Sequence, residues 1–179
     1  YKNIILIYNI LTFFAFALSG FGTYLLVDYL VKNKFAAFIS GLIFAFCPFH
    51  LVKVSFINYL STQWIPFYIL FLLKSFNEEK SKYFNIFFAG LFLLFNTLIC
   101  EIYGLFAVLF TLSYLAYCMI TEKKYSQRKR IFFRCFAVFF LFLLLFSPVL
   151  YSMGKFLLEE GTEILSSTFE NAKFESVDL

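Results

Sequence analysis

Long runs of hydrocarbon side chains, broken only by short charged loops, constrain this chain more than anything else in it. Across residues 83–120 the one charged side chain is Glu101. That run is twice the length of a bilayer span, which takes about 20 residues to cross a hydrocarbon core about 30 Å thick. A single helix of that length would overshoot, so the run must fold back on itself, and residues 96–104 are where a tight hairpin is expected. Further apolar blocks cover residues 4–27, 35–49, 65–76 and 132–150. Hydrophobic residues make up 62% of the 179 and charged residues 15%, with 30 Phe and 12 Tyr. A soluble domain is closer to half apolar and a quarter charged. The pattern predicts an all-α fold, a polytopic transmembrane helix bundle of about six spans.

Two prolines divide the chain at its most polar point. Pro48 lacks a backbone donor and pushes Cys47 out of helical angles, so the second span is expected to end there. Pro66 suits the first turn of a new helix. Between them a polar-aromatic connection joins spans two and three, carrying the only histidine (His50), Lys53, Asn58, Gln63 and the only tryptophan (Trp64). The third span is expected to extend backwards through Tyr59 and Leu60. The second block is only some 22 Å long at about 1.5 Å per residue. Its Pro48 end should stop below the membrane surface and leave a recess walled by the connection. Ala15, Ser19 and Thr23, flanked by Gly20 and Gly22, form a small-residue stripe on the first span. Ala37, Gly41 and Ala45 match it on the second, so these two helices are expected to pack closely.

Pro148 is expected to end the sixth span. The chain thus reads as a transmembrane helical domain over residues 1–150. An acidic, external juxtamembrane segment over 151–179 leads to a further C-terminal part. The chain opens on Tyr1 and is read as an internal piece of a longer protein. Eleven of the 15 Lys and Arg fall in the loops at 28–34, 74–82 and 121–134. The positive-inside rule makes these loops cytoplasmic in a multi-pass cell-membrane protein. The connection, the Glu101 hairpin and the acidic tail then face outward. The strongly basic 121–134 loop reads as a topology signal that meets anionic lipid head groups, not as a nucleic-acid site. Cys47, Cys100, Cys118 and Cys135 show no metal-ligand spacing and read as small buried hydrophobes. No metal or cofactor is expected.

The segments Phe46-Cys-Pro-Phe-His50 and Asn58-Tyr-Leu-Ser-Thr-Gln-Trp-Ile-Pro66 carry a resemblance. So do the Ser-Gly-Phe-Gly-Thr-Tyr-Leu-Leu run at 19–26 and the closing Phe-Glu-Ser-Val-Asp-Leu at 174–179. Over most of its length the chain resembles a family of large prokaryotic membrane proteins related to the GT-C glycosyltransferases, which use polyprenyl-phosphate-linked sugars. It departs from that family at Phe49, where Pro-Tyr is usual, and at Phe56, where a histidine is common. The resemblance implies transfer of a sugar from a polyprenyl-phosphate donor at the outer face, with the catalytic carboxylate on a loop upstream of Tyr1. No catalytic residue is therefore assigned. In such a transfer a carboxylate takes the acceptor's proton while a lipid phosphate leaves, and that phosphate needs cationic or hydrogen-bonding partners.

His50 and Lys53, three residues apart and on one face if helical, are candidates for the phosphate. Asn58 and Gln63 are candidates for sugar hydroxyls, Trp64 for a wall of the recess, and Glu101 for an intramembrane carboxylate. Each has a structural reading beside the functional one. Lys53 could snorkel to the interface, His50 could cap a helix end, Asn58 and Gln63 could satisfy a helix entrance, and Glu101 could be solvated. Two other classes stay open. One is a transporter or lipid flippase, with the broken segment at Pro48 lining a path. The other is a non-catalytic membrane scaffold. Membrane lipids are partners on every reading.

Overall fold

The computed structural model describes residues 2–122 and 124–175, with side chains for 3–122 and 124–158. The closing residues 176–179 of the family-like segment and the side chains of the expected external segment past 158 lie outside the described residues. Every regular element described is a helix: α1 (Lys2–Val31), α2 (Lys34–Ala45), α3 (Pro48–Val52), α4 (Ile57–Leu60), α5 (Trp64–Asn77), α6 (Lys82–Ile99), α7 (Glu101–Thr121) and α8 (Tyr125–Glu175). The all-α bundle expected from the apolar blocks is observed.

Five stretches among the described residues are long and apolar enough to cross a membrane: Asn3–Val31, Lys34–Val52, Lys82–Ile99, Glu101–Thr121 and Tyr125–Leu158. The one expected span missing from these is the third, α5, whose 14 residues give only about 21 Å at 1.5 Å per residue. Tyr59 and Leu60 do not extend it. The Thr62 N–H turns back to the Leu60 carbonyl at 2.7 Å and the Ile65 N–H bonds the Thr62 carbonyl at 3.1 Å, so a turn separates α4 from α5.

A tight corner joins α1 to α2. Lys32 takes the left-handed conformation (φ 55°), and the Asn33 side chain then caps α2 by accepting from the Phe35 and Ala36 N–H groups at 3.0 and 3.2 Å. The predicted stripe Ala37, Gly41 and Ala45 is buried. Its partner on α1 is Gly20: a Cβ placed on Gly41 would lie 2.7 Å from the Gly20 carbonyl oxygen. The two backbones therefore touch, as small residues allow in lipid. Ala15 and Ser19 are also buried, but they share a helical face with Gly22, which fits under Pro66 and Phe67 of α5. The small residues of α1 thus make two notches, one for α2 and one for α5.

The core gathers around α5. Tyr68, Leu72 and Phe76 pack with Ala89, Phe92 and Leu93 of α6, Ala107 and Cys118 of α7, and Ile131, Cys135 and Val138 of α8. Trp64, Phe67 and Phe71 lay their rings along Phe92 and Phe88. The Thr111 hydroxyl donates to the Ala107 carbonyl at 2.8 Å, so the Tyr68 hydroxyl donates to Thr111 Oγ1 at 2.5 Å. The chain reverses between α6 and α7 at the single extended residue Cys100 (φ −152°, ψ 116°), inside the expected 96–104 stretch. Gly104 is needed there, because a Cβ would run into Thr97 Oγ1. Cys118 and Cys135 are buried, while Cys47 and Cys100 are half-buried at the breaks.

The chain divides into two compact units, one ending at Phe142 and one beginning at Leu143. In the second, Pro148 does not end the helix; α8 runs through it to Glu175. Pro148 has no N–H for the carbonyl four residues earlier. The Ser147 hydroxyl donates to that same carbonyl, Leu144 O, at 2.8 Å. A neighbouring hydroxyl is one of the ways membrane helices tolerate proline.

Candidate functional site

The connection begins with Cys47 in an extended conformation (φ −63°, ψ 152°), as a residue before proline prefers, and Pro48 then opens α3. Pro48 is thus an end and a beginning. His50, in α3, is 2% exposed. Its Nδ1 lies 2.9 Å from the Ala45 carbonyl, which only accepts, so Nδ1 carries the hydrogen. Nε2 sits 2.5 Å from the Thr62 hydroxyl and accepts from it in the neutral ring. Phe16, Phe44 and Phe49 surround the imidazole at 5.9, 5.3 and 6.1 Å between centroids. His50 therefore staples the carbonyl end of α2 to the entrance of α5.

Lys53 is the C-cap residue of the same short helix. It is half-buried, with Nζ 5.6 Å from the Phe56 ring centroid and 5.4 Å from that of Tyr59, an aromatic cradle for a cation. Among the described residues it has no ion pair. The Tyr8 hydroxyl donates to the Val54 carbonyl, and the Tyr103 hydroxyl donates to the Tyr59 carbonyl at 2.6 Å. These bonds fasten the connection to α1 and α7. Asn58 is exposed on α4, and Glu101 is exposed in the first turn of α7, where a carboxylate complements the helix dipole.

Gln63 and Trp64 turn inward: Gln63 is 6% exposed, and Trp64 stacks on Phe92 at 5.7 Å and meets Phe95 at 5.0 Å. The structure links Lys53 through Tyr59 and Tyr103 to the end of α7 that carries Glu101. It does not bring His50, Gln63 or Trp64 to the same surface.

Beside the connection, α1 and α2 flank an open cleft of about 710 Å³, lined along α1 from Asn9 to Tyr24 and on the other side by Phe38 and Leu42 of α2 and its C-cap residue Phe46. Of the connection only Leu51 reaches it; none of the six candidate residues lines it. Asn9 and Thr12 do, and Thr12 Oγ1 is buried with no hydrogen-bond partner among the described residues. Every other Ser or Thr well inside a helix with a described side chain returns its hydroxyl to the carbonyl three or four residues earlier. Sequence reasoning missed Asn9 and Thr12, although their spacing of three on one face of an apolar helix was the available signal.

Two other groups escaped the sequence. Arg134, counted there as a loop charge, is buried: its Nη1 donates to the carbonyls of Ser75 and Phe76 at 2.7 and 3.2 Å, and its Nη2 meets Glu79 at 2.6 Å. It closes the C-terminus of α5. At the other end of α5, Gln63 Oε1, Trp64 Nε1 and Asn96 Oδ1 are buried without partners among the described residues. The antiparallel register that lays Trp64 on Phe92 carries Asn96, one turn further along α6, to the level of Gln63.

These features define a multi-helix membrane protein with a broken second span and an aromatic-cradled lysine beside an apolar cleft. Residues 7–174 match the family described as a domain of unknown function, DUF6311, and the chain belongs to that family. No curated protein and no solved structure matches it.

Proposed function

We propose that this chain is the donor-binding part of a GT-C-like membrane glycosyltransferase, and that Lys53 meets the phosphate of a polyprenyl-phosphate-linked sugar. On this reading the basic loops at 28–34, 74–82 and 121–134 are cytoplasmic, and the connection faces the outer leaflet of the cell membrane. One observation carries it: Lys53 is a cation without an ion pair among the described residues, held over two aromatic rings on the connection. An ammonium held in this way stabilises a phosphate that gains charge as its sugar leaves. Asn58 and Glu101, exposed on the elements fastened together by Tyr59 and Tyr103, are the groups for sugar hydroxyls. His50 has no free ring nitrogen for this chemistry and acts by holding the connection's shape.

The test is binding of a polyprenyl-phosphate analogue to the protein in nanodiscs, with position 53 as Lys, Arg, Gln and Met. A charge-assisted contact to phosphate contributes about 1.5–3 kcal/mol, so Gln and Met should weaken binding about tenfold to a hundredfold while Arg keeps most of it. Equal affinity across the four rejects the phosphate role.

A further inference from the structure

We propose that the N-terminal half of α1 is a self-association face, on which Asn9 pairs with Asn9 of a second copy of this chain inside the membrane. The inference stands apart from the phosphate reading above and uses neither Lys53 nor the connection.

Of the five membrane-crossing stretches among the described residues, the one formed by α1 is the least covered. Only 11% of its most apolar part is buried inside the chain, against 17–33% for the others. Its C-terminal half is engaged, with Gly20 against Gly41 and Gly22 under Pro66 and Phe67. Its N-terminal half is bare. Tyr8 reaches the connection through the Val54 carbonyl, but Leu6, Ile10 and Phe13 are each more than half exposed.

Asn9 sits among these side chains and is itself exposed. The charges that bracket α1 are Lys2 and Asp28, with residue 15 midway between them. Asn9 is six residues from that midpoint, about 9 Å at 1.5 Å per residue, whereas the hydrocarbon core extends about 15 Å to either side of its centre. Its carboxamide therefore lies at hydrocarbon depth, and it makes no hydrogen bond among the described residues. Lipid chains leave its N–H groups and its oxygen unsatisfied. A polar group at the same depth on a neighbouring helix satisfies them.

A second copy supplies that group by construction. Copies inserted by the same charge rule run parallel, so a two-fold axis along the membrane normal brings each residue to its counterpart at equal depth. A carboxamide is self-complementary, each copy donating an N–H to the other's oxygen. Leu6, Asn9 and Phe13 are spaced by three and four, the seam along which parallel helices pair, and a lone Asn on such a seam fixes register and the number of strands. Further along, the same spacing leads through Phe16 to Gly20, where α2 already lies. The two copies of α1 thus cross near Asn9 and diverge into their own α1–α2 pairs.

The experiment reconstitutes the full chain in lipid vesicles with donor and acceptor fluorophores on separate copies, and follows energy transfer as the protein is diluted into lipid. A dimer should be seen. In Asn9→Leu its dissociation midpoint should move about tenfold toward higher protein density, from the loss of two reciprocal bonds in lipid. Asn9→Gln keeps the amide and should retain most of the association. The monomer's unfolding midpoint in detergent should be the same in Asn9→Leu as in the parent, because the amide has no partner in its own chain. With the four native cysteines replaced by Ala, Phe13→Cys should form a disulfide between copies, whereas Leu105→Cys, on an equally exposed site of α7, should not. Energy transfer absent at every density, or a dimer indifferent to Asn9→Leu, overturns the proposal. So does cross-linking through position 105 alone. A lower unfolding midpoint of the Asn9→Leu monomer would also overturn it, by placing the partner of Asn9 within its own chain.

Discussion

The two ends of α5 are built on opposite principles. At its C-terminus Arg134 takes up the carbonyls of Ser75 and Phe76, and Glu79 bridges Arg134 and Arg130. Asn85 adds a bond to Glu78 at 3.2 Å. At its N-terminus Gln63 makes no side-chain cap, and three polar atoms, on Gln63, Trp64 and Asn96, are buried without partners among the described residues. Buried polar groups in native proteins are nearly always paired, and exceptions gather where a structure serves something besides its own stability. The contrast separates an end whose carbonyls are taken up by a buried guanidinium from an end that leaves three buried polar atoms without partners among the described residues.

The largest expected effect tests the closed end. Arg134→Met removes the donors for two helix-end carbonyls and leaves Glu79 with one partner. Leaving a buried acceptor without its donor costs about 1–3 kcal/mol for each carbonyl, read as a large drop in the unfolding midpoint in detergent. Arg130→Met should cost less than about 1 kcal/mol, because Arg130 and Glu79 are 41% and 55% exposed and exposed pairs contribute little. Equal losses from the two variants would erase the distinction between a buried clamp and a surface pair.

A middle-sized effect concerns the hydrogen-bonded staple at the open end. His50→Phe keeps a ring among Phe16, Phe44 and Phe49 but removes both of its bonds, leaving the Ala45 carbonyl and the Thr62 hydroxyl to find other partners. The cost should be about 1–3 kcal/mol. Because His50 and Thr62 share one bond, the pair His50→Phe and Thr62→Val should lose less together than the sum of the singles, a coupling that a double-mutant cycle measures. Additive losses would show that the staple is not a unit and would leave the open end without any fixed point.

How much of this was legible depended on whether the signal was local. The apolar blocks gave the bundle, the α6–α7 reversal fell within residues 96–104, and Ala37, Gly41 and Ala45 marked the buried stripe of α2, because length and periodicity are read along one helix. The split of the third span was hidden because the Ser61–Gln63 turn carries neither glycine nor proline. Pro148 misled because its effect was offset by Ser147, one residue earlier. Arg134 could not be assigned from sequence, since its partners lie some sixty residues away. Of the candidate site, the connection was found as a place, but His50 proved to be buried and bonded to Ala45 and Thr62 while Lys53 lies half-buried over Phe56 and Tyr59. The cleft went unseen because its walls are ordinary membrane residues.

The smallest stability effect is the sharpest test of the comparison. Trp64→Phe removes Nε1–H and keeps an aromatic ring for Phe92 and Phe95. Asn96→Leu removes an unpartnered oxygen, at the loss of one bond to the Phe92 carbonyl at 2.8 Å. Gln63→Met removes another and keeps the length of the side chain. A buried polar group without a partner already carries its desolvation cost, so an apolar replacement of similar shape is neutral or stabilising. Each variant should therefore unfold within about 1 kcal/mol of the parent, the reverse of Arg134→Met. A loss of about 2 kcal/mol or more would mean that these atoms do have partners, such as ordered water, and that both ends of α5 are satisfied. Unchanged stability with weakened binding of the sugar-bearing polyprenyl phosphate would instead show that the open end is kept unpaired for its ligand. Asn96→Leu is the most telling of the three, because Asn96 is 1% exposed and its amide orientation is fixed by the Phe92 carbonyl, so Oδ1 is identified as the unpartnered atom.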